Sequence, residues 1–382
     1  MTSRVDTTIC RRCVMDTSDP DITFDADGVC SHCRKFDDIT SKQWFPGEEG
    51  EQRLNTMLDQ IRAAGTDHDY DVILGLSGGL DSSILAVRAK DWNLRVLAIH
   101  VDAGWNTELA VHNIQRIVEY CDFDLHTHVV DWADMRDLHL AYLRSGIANQ
   151  DVPQDHVFFA SLYGQAVERK IKYVLNGGNI ATESVFPANW HGSAMDAWNL
   201  RDIHRKYGTT ELKSYPTMGF LRYYLTIPYV HRIKVFRPLN FMPYDRAAAL
   251  TELQERLGYK DYGLKHGESQ FTRFFQNYYL PTRFGYDKRR PHLSSMILSG
   301  QITREEALAR LDDEMYTADQ LEQDIAYFSK KLRIGRDEFT DLLHAPLRSH
   351  RDFRNQDSAY RRLKQVQGMI EKITRRNLGA YG

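Results

Sequence analysis

The chain has 382 residues, of which 42% are hydrophobic and 26% are charged, a composition typical of a globular protein with more than one small domain. Its 49 Lys and Arg residues against 52 Asp and Glu residues give a formal net charge of −3, which disfavours a protein that coats nucleic acid through bulk charge. Because no run of about 18 apolar residues occurs and residues 1–10 lack the apolar core of a signal peptide, we expect no membrane insertion and a cytoplasmic location.

Four of the five cysteines are clustered near the start of the chain, as Cys10, Cys13, Cys30 and Cys33. Each Cys-x-x-Cys turn directs two thiolates to one point, and two such turns form the tetrahedral sulfur site that Zn²⁺ favours. The spacing therefore predicts a structural zinc ribbon over residues 1–40. An iron–sulfur cluster or a redox dithiol pair is the alternative, and no βαβ pattern supports the redox role. We expect Cys121 to be a buried structural thiol.

Apolar runs and helix-like stretches alternate in the middle of the chain. Residues 41–66 form a predicted linker helix, because apolar residues recur at helical spacing within 48–64. The predicted strands that follow are Val72–Leu76, Arg95–Val101, Leu125–Val130, Tyr173–Asn176 and Lys234–Phe236. The predicted helices between them are Ser82–Lys90, Thr107–Tyr120 and roughly Val157–Lys170. This alternation predicts a Rossmann-type α/β domain with a parallel sheet over residues 67–243.

Two regions depart from the alternation. Residues 184–232 are rich in Trp, Tyr and Pro, and we expect them to form an irregular insert. Residues 244–382 are rich in charge and are predicted to be a mainly helical region that serves a substrate or a partner.

The central motif lies where the first predicted strand meets a helix, and it reads Ser77-Gly78-Gly79-Leu80-Asp81-Ser82-Ser83. Two glycines let the backbone approach an anion, and the helix N-terminus supplies free N–H groups. The serine hydroxyls add donors, and Asp81 caps the helix or holds Mg²⁺. The motif lacks the ending of a Walker A loop. A capped Gly-Gly turn without a ligand is the alternative.

The motif resembles the SGGxDS signature of the PP-loop ATP pyrophosphatases, the adenine nucleotide α-hydrolases. These enzymes cleave ATP between its α and β phosphates and adenylate a carbonyl oxygen. The resemblance implies that ATP is held by the loop and by two later strand ends, through Ser77, Gly78, Gly79, Asp81, Ser82, Ser83, His100, Asp102, Gly177 and Gly178. It also implies catalytic roles for Asp81, Asn179 and Glu183, with Glu183 helping to hold Mg²⁺. The alternative for Glu183 is an acid that favours a helix N-terminus.

Further runs of sequence resemble the WbpG/PseA-like N-acetyl sugar amidotransferases, over about residues 8–310. These runs are residues 12–18, 265–269, 272–276, 284–289 and 292–294. The resemblance implies a synthase subunit that uses ATP and ammonia to convert the acetamido group of a nucleotide-linked sugar into an acetamidino group. The pathways implied are bacterial lipopolysaccharide, O-antigen or nonulosonic acid biosynthesis. Because no Cys–His–Glu glutaminase set is visible, a separate glutaminase subunit is expected to supply the ammonia.

Basic and aromatic residues are the candidates for binding the sugar nucleotide. The basic candidates are Lys265, Arg273, Lys288, Arg289 and Arg290, of which Lys265, Arg273 and Lys288 are assigned to catalysis. They suit a diphosphate or a uronate, and the alternative is solvated surface charge. Trp190, His191 and Trp198 suit stacking on a base or sugar, and packing is the alternative.

Two other classes of protein remain open. A tRNA thiolase also pairs a zinc ribbon with a PP-loop, and residues 346–376 carry nine Lys or Arg against three acids, a charge that suits RNA phosphates. Against this class, only Cys121 is available for sulfur transfer, and nucleic acid is not the expected partner. The other class is a nucleotide-binding scaffold, which needs no cradle for pyrophosphate.

Overall fold

A five-stranded parallel sheet organises the centre of the molecule. The computed structural model describes residues 8–190, 192–263 and 267–374. The strands are β1 (Val72–Gly75), β2 (Val96–Asp102), β3 (Asp124–Val129), β4 (Tyr173–Leu175) and β5 (Lys234–Phe236). Their order is β3-β2-β1-β4-β5, and all neighbours are parallel. The predicted α/β fold is confirmed, and each predicted strand boundary agrees within one residue.

Helices cover both faces of this sheet. In chain order, the helices that precede or accompany it are α1 (Ser31–Gln43), α2 (Glu48–Gly65), α3 (Leu80–Asp91), α4 (Glu108–Cys121), α5 (Trp132–Ser145), α6 (Val152–Glu168), α7 (Ile180–Glu183) and α8 (Ala197–Tyr207). Successive side chains of a strand point to opposite faces. Accordingly, Ile73 packs into one apolar core with α5 and α6, whereas Val72 and Leu74 pack into another with α2, α3 and α4.

Three helices were not predicted correctly. The first, α1, begins directly after Cys30 of the second Cys-x-x-Cys turn and extends the N-terminal module, which otherwise has two isolated antiparallel bridges. The second is α5, which follows β3 directly. The third is α8, so the expectation of an irregular insert over 184–232 was wrong there. The Asp196 carboxylate caps α8 by accepting from Trp198 N and Asn199 N, a signal that the surrounding aromatic residues obscured.

The region after β5 is helical, as predicted. A π-helical stretch, Arg222–Val230, precedes β5. The helices that follow it are α9 (Arg246–Leu257), α10 (Gln270–Phe274), α11 (Leu280–Phe284), α12 (Arg289–Leu298), α13 (Arg304–Asp312), α14 (Ala318–Leu332), α15 (Arg336–Leu343) and α16 (Asp357–Thr374). Among the described helices, none has both the length and the hydropathy needed to cross a bilayer.

Candidate active site and metal centre

The predicted phosphate loop connects β1 to α3 at the carboxyl edge of the sheet. Gly78 has φ +84°, a left-handed conformation that favours glycine. The Ser77 hydroxyl accepts from Gly79 N at 3.2 Å and lies 3.2 Å from the Ser82 hydroxyl. The Ser83 hydroxyl is buried and donates to Gly79 O at 2.7 Å. Ser83 therefore stabilises the first turn of α3, while Ser77 and Ser82 lie together at the half-buried surface of the loop.

Asp81 is the centre of a polar cluster. Tyr244 donates its hydroxyl to Asp81 Oδ1, and Asn179 Nδ2 lies 3.4 Å from the same oxygen. Burial and the negative charges of Asp81 and Glu183 raise the pKa of Tyr244. Tyr244 therefore stays protonated and donates to the carboxylate. The sequence carried no signal for this tyrosine, which lies 163 residues from Asp81.

The turn after β4 brings the other predicted residues to the same place. A Cβ on Gly177 would lie 3.0 Å from the carbonyl carbon of Asp81, so the two backbones pack at a distance that only glycine allows without a shift. Asn179 caps the short helix α7 by accepting from Thr182 N at 2.9 Å. A Cβ on Gly178 would lie 3.4 Å from Glu183 Oε2. The turn, Asp81 and Glu183 thus form one site, and their roles toward ATP stay a prediction.

His100 and Asp102 fix the end of β2. His100 Nδ1 lies 3.0 Å from Leu76 O, and its Nε2 lies 3.0 Å from Asn106 Nδ2. Burial lowers the pKa of His100, so the neutral ring donates to the carbonyl and accepts from the amide. Asp102 accepts from Gly104 N at 2.8 Å. Both side chains therefore stabilise the backbone conformation at the end of β2.

A segment far along the chain fixes the phosphate loop from the other side. Tyr259 and Tyr262 both donate their hydroxyls to Gly78 O at 3.0 Å. The carbonyl of Gly78 and the N–H of Gly79 belong to one peptide plane, so these bonds also orient the N–H group. A Cβ on Gly79 would lie 3.1 Å from Glu268 Oε1. The two tyrosines are positioning residues that the sequence pattern did not indicate.

We expect the double substitution Tyr259→Phe, Tyr262→Phe to raise KM for ATP about tenfold, because the Gly78–Gly79 peptide loses both bonds that orient it. The measurement is initial rate against ATP concentration. Tyr120→Phe is the matched control, because its hydroxyl accepts from Arg256 Nε at 2.9 Å, away from the loop, and KM should not change. An unchanged KM in the double variant would contradict the positioning role.

The four clustered cysteines have the geometry of a metal site. Their ligand atoms all lie within 4.8 Å of one another, and all four residues are buried. The sulfur–sulfur distances are 3.8 Å for Cys10–Cys33, 3.6 Å for Cys13–Cys30 and 3.6 Å for Cys30–Cys33. A tetrahedral Zn²⁺ with bonds of about 2.3 Å requires sulfur–sulfur distances of about 3.8 Å. The donor set and its spacing therefore fit zinc.

Residues 268–367 match the family described as "LPS biosynthesis protein WbpG-like, C-terminal domain". We refer to residues 268–367 as the WbpG-like domain. The resemblance to WbpG-like proteins inferred from sequence is thus confirmed. No curated protein matches the chain.

The solved structures that are similar to the chain include three synthetases. NH3-dependent NAD synthetase from Campylobacter jejuni is 17% identical, with a TM-score of 0.27 over 35% of this chain and 58% of that protein. The chain therefore spans little more than half of that relative. NMN synthetase from Francisella tularensis is 13% identical, with a TM-score of 0.33, and the match covers 74% of this chain and 93% of that protein. NAD+ synthetase from Burkholderia pseudomallei is 21% identical, with a TM-score of 0.27, and the match covers 59% of this chain and 94% of that protein.

The WbpG-like domain joins the cysteine cluster to the turn that carries Glu183. On α12, Ser294 Oγ accepts from Val14 N at 3.2 Å, and the adjacent Ser295 Oγ accepts from Val185 N at 3.0 Å. Arg304 Nε lies 3.2 Å from Cys10 O and 3.1 Å from Cys13 O. One helix of the WbpG-like domain therefore contacts both the metal-binding module and the segment directly after α7.

Most of the predicted basic residues bond to protein groups within the WbpG-like domain or beside it. Arg273 pairs with Asp324 at 2.8 Å, Arg289 pairs with Asp287 at 2.8 Å, and Arg290 pairs with Asp16 at 3.0 Å. Lys288 lies over the ring of Phe186 at 5.5 Å. Lys265 lies outside the described residues. The three arginines are thus paired with three separate acids of the protein, and the catalytic roles of Lys265, Arg273 and Lys288 stay a prediction.

The predicted aromatic residues differ in their surroundings. Trp190 is fully buried and stacks on Tyr286 of the WbpG-like domain, with ring centroids 4.7 Å apart and an interplanar angle of 9°. Trp198 contacts Phe220, and Arg354 lies over its ring at 5.0 Å. His191 lies outside the described residues.

Proposed function

We propose that this chain is the ATP-dependent synthase subunit of a sugar amidotransferase. It converts the acetamido group of a nucleotide-linked N-acetyl sugar into an acetamidino group, in the cytoplasm, for bacterial lipopolysaccharide, O-antigen or nonulosonic acid biosynthesis. The observation that carries this proposal is the position of Glu268, the first residue of the WbpG-like domain, against Gly79 of the phosphate loop. The loop that suits ATP and the domain typical of polysaccharide biosynthesis thus meet at one site.

The phosphate loop supplies the groups that ATP cleavage needs. The N–H groups at the start of α3 and the Ser77 and Ser82 hydroxyls bind the pyrophosphate portion of ATP. Asp81 and Glu183 would hold Mg²⁺, because carboxylate oxygens are the ligands it prefers. When bound, Mg²⁺ neutralises charge on the departing pyrophosphate. Tyr244 and Asn179 keep the Asp81 carboxylate in one orientation.

The reaction proceeds in two displacements. The acetamido oxygen of the sugar attacks the α-phosphorus of ATP and expels pyrophosphate, with loss of the amide proton. The resulting O-adenylyl imidate has a good leaving group on a carbon that was a poor electrophile. Ammonia attacks this carbon, AMP departs, and the acetamidino sugar remains. Exclusion of bulk water protects the imidate from hydrolysis.

The cysteines of the chain favour an external source of ammonia. Four of the five belong to the metal-binding cluster. The fifth, Cys121, is buried, and desolvation raises the pKa of its thiol to about 12. Because the thiolate is the reactive form, Cys121 is a poor nucleophile. The poor nucleophilicity of Cys121 counts against a glutaminase within the chain and equally against a thiolase that carries sulfur on cysteine.

The experiment that tests the proposed function is a mass assay with ATP, ammonia and a panel of UDP- and CMP-linked N-acetyl sugars. We expect one sugar to show the mass change for replacement of an oxygen by an NH group, with equal amounts of AMP and pyrophosphate. Sulfur incorporation into tRNA, or ATP binding without turnover on any sugar, would support the thiolase or the scaffold instead.

Free ammonia should support this activity without a partner, most strongly at high pH, where a larger share is unprotonated. Glutamine should support it only after a glutaminase subunit is added, because no reactive cysteine is available to release ammonia from glutamine. Product formation from glutamine by the purified chain is the measurement. Robust turnover with glutamine alone would contradict the two-subunit scheme.

A further inference from the structure

A cavity of about 290 Å³ lies between the α/β domain and the WbpG-like domain. The α/β side contributes Asn149 before α6 and the insert contributes Trp190, whereas the WbpG-like domain contributes Tyr286, Arg348 and His350. No lining residue belongs to the phosphate loop. Cavities between domains are frequent ligand sites. Since seven of the 17 lining residues belong to the WbpG-like domain, the cavity suits the substrate other than ATP.

Short contacts connect this cavity to the ATP-binding edge of the sheet. Val152, which lines the cavity, is the first residue of α6. In the same turn, Gln154 Oε1 accepts from Ser269 Oγ at 3.2 Å. Ser269 in turn forms a β-bridge with Asn106, whose amide contacts His100. The cavity and the end of β2 are therefore linked by three successive contacts.

The wall combines a partly exposed ring with amide donors. Tyr286 is the partly exposed ring, and it stacks on the buried Trp190 behind it. Asn149 Oδ1 accepts from Asp151 N at 3.2 Å, and for its amide donors the structure records no acceptor among residues 8–190, 192–263 and 267–374. Apolar rings with a few polar donors fit the C–H face and the hydroxyls of a sugar ring.

The charged side chains of the wall are one guanidinium, Arg348, and two carboxylates, Asp196 and Asp352. Asp196 accepts from the backbone of α8 and from Gln356 N at 2.6 Å, and Asp352 accepts from Ser349 N at 2.9 Å. Arg348 bonds to the neutral hydroxyl of Tyr207, and within the described chain no carboxylate forms an ion pair with it. Arg348 can therefore take an anionic group without giving up a carboxylate partner.

We propose that this cavity binds the sugar ring of the acceptor, with an oxyanion of that sugar on Arg348. The oxyanion is either a phosphate at the anomeric carbon or a carboxylate on the ring. The volume is at the lower limit of the roughly 300–1,000 Å³ of small-molecule sites, so it suits one monosaccharide while a nucleotide extends outside. The proposal rests on the proposed function and names the site for its second substrate.

Direct binding tests this assignment without turnover. The probes are N-acetylglucosamine, N-acetylglucosamine 1-phosphate and N-acetylglucosaminuronic acid, titrated by calorimetry into the full chain. We expect at least one anionic probe to bind about tenfold more tightly than the neutral sugar, and the stronger of the two identifies the oxyanion as phosphate or carboxylate. Arg348→Gln should remove this preference, and Arg348→Lys should retain part of it.

Arg351→Gln is the matched control, because Arg351 belongs to the same segment, is 63% exposed and does not line the cavity. It should bind the probes like the unaltered protein. Equal affinity for all three probes, no binding, or an undiminished preference in Arg348→Gln would each overturn the assignment. Anion-dependent binding without any acetamidino product would contradict the proposed function and leave the cavity assignment standing.

Discussion

Asp81→Asn is expected to lower turnover by about 10²-fold or more, the effect of removing one preorganised contact to the transition state. The substitution keeps the shape of the side chain but removes the charge that Tyr244 and Asn179 orient. Because the removed charge is the proposed ligand of Mg²⁺, the loss should appear in kcat more than in KM. The measurement is the rate of AMP and pyrophosphate formation at saturating ATP, with thermal unfolding as the check on the fold.

Ser77→Ala should cause a loss of similar size, since its hydroxyl is a proposed donor to the pyrophosphate. The matched control is Asp91→Asn at the other end of α3, where Asp91 pairs with Arg256 at 2.6 Å. That variant should keep full turnover. If ATP gave ADP and phosphate in the unaltered protein, the proposed cleavage between the α and β phosphates would be wrong.

Cys13→Ser should abolish metal binding and unfold the N-terminal module. The purified protein is expected to hold one Zn²⁺ per chain, and apparent binding free energies of structural zinc are roughly 10–16 kcal/mol. Few residues besides the cysteines form the core of this module, so packing alone cannot replace the metal. Metal analysis and solubility are the measurements.

The same substitution should also reduce ATP turnover, because α12 contacts both Val14 of the module and Val185 after α7. Cys121→Ser is the control, since Cys121 lies at the end of α4 outside the cluster, and it should retain one equivalent of zinc. Less than half an equivalent in fresh protein, or iron in place of zinc, would refute the zinc assignment.

The sequence was most informative where a local pattern determines the structure. The strands were predictable because buried parallel strands are short apolar runs that follow helices. The phosphate loop and the Asn179 turn were predictable because glycine and capping residues act within a few positions. Helix α8 was missed because its apolar residues lie among aromatic residues that pack elsewhere.

Long-range partners were beyond any local pattern. Tyr244 and Tyr259 contact the loop across more than 160 residues, and neither lies in a recognisable motif. The basic residues after position 260 are close in sequence, and this proximity suggested that they bind one ligand together. In the structure, Arg273 and Arg290 instead form ion pairs with separate acids of the protein. Arg348, which lines the cavity, is an ordinary arginine in sequence.

The bonds from Tyr259 and Tyr262 to Gly78 span 181 and 184 residues, which has a consequence during synthesis of the chain. A growing chain that has passed Phe236 has all five strands, yet its loop lacks the hydroxyls that orient it. Chains that end before Tyr259 therefore contain all five strands without the two bonds that orient the Gly78–Gly79 peptide.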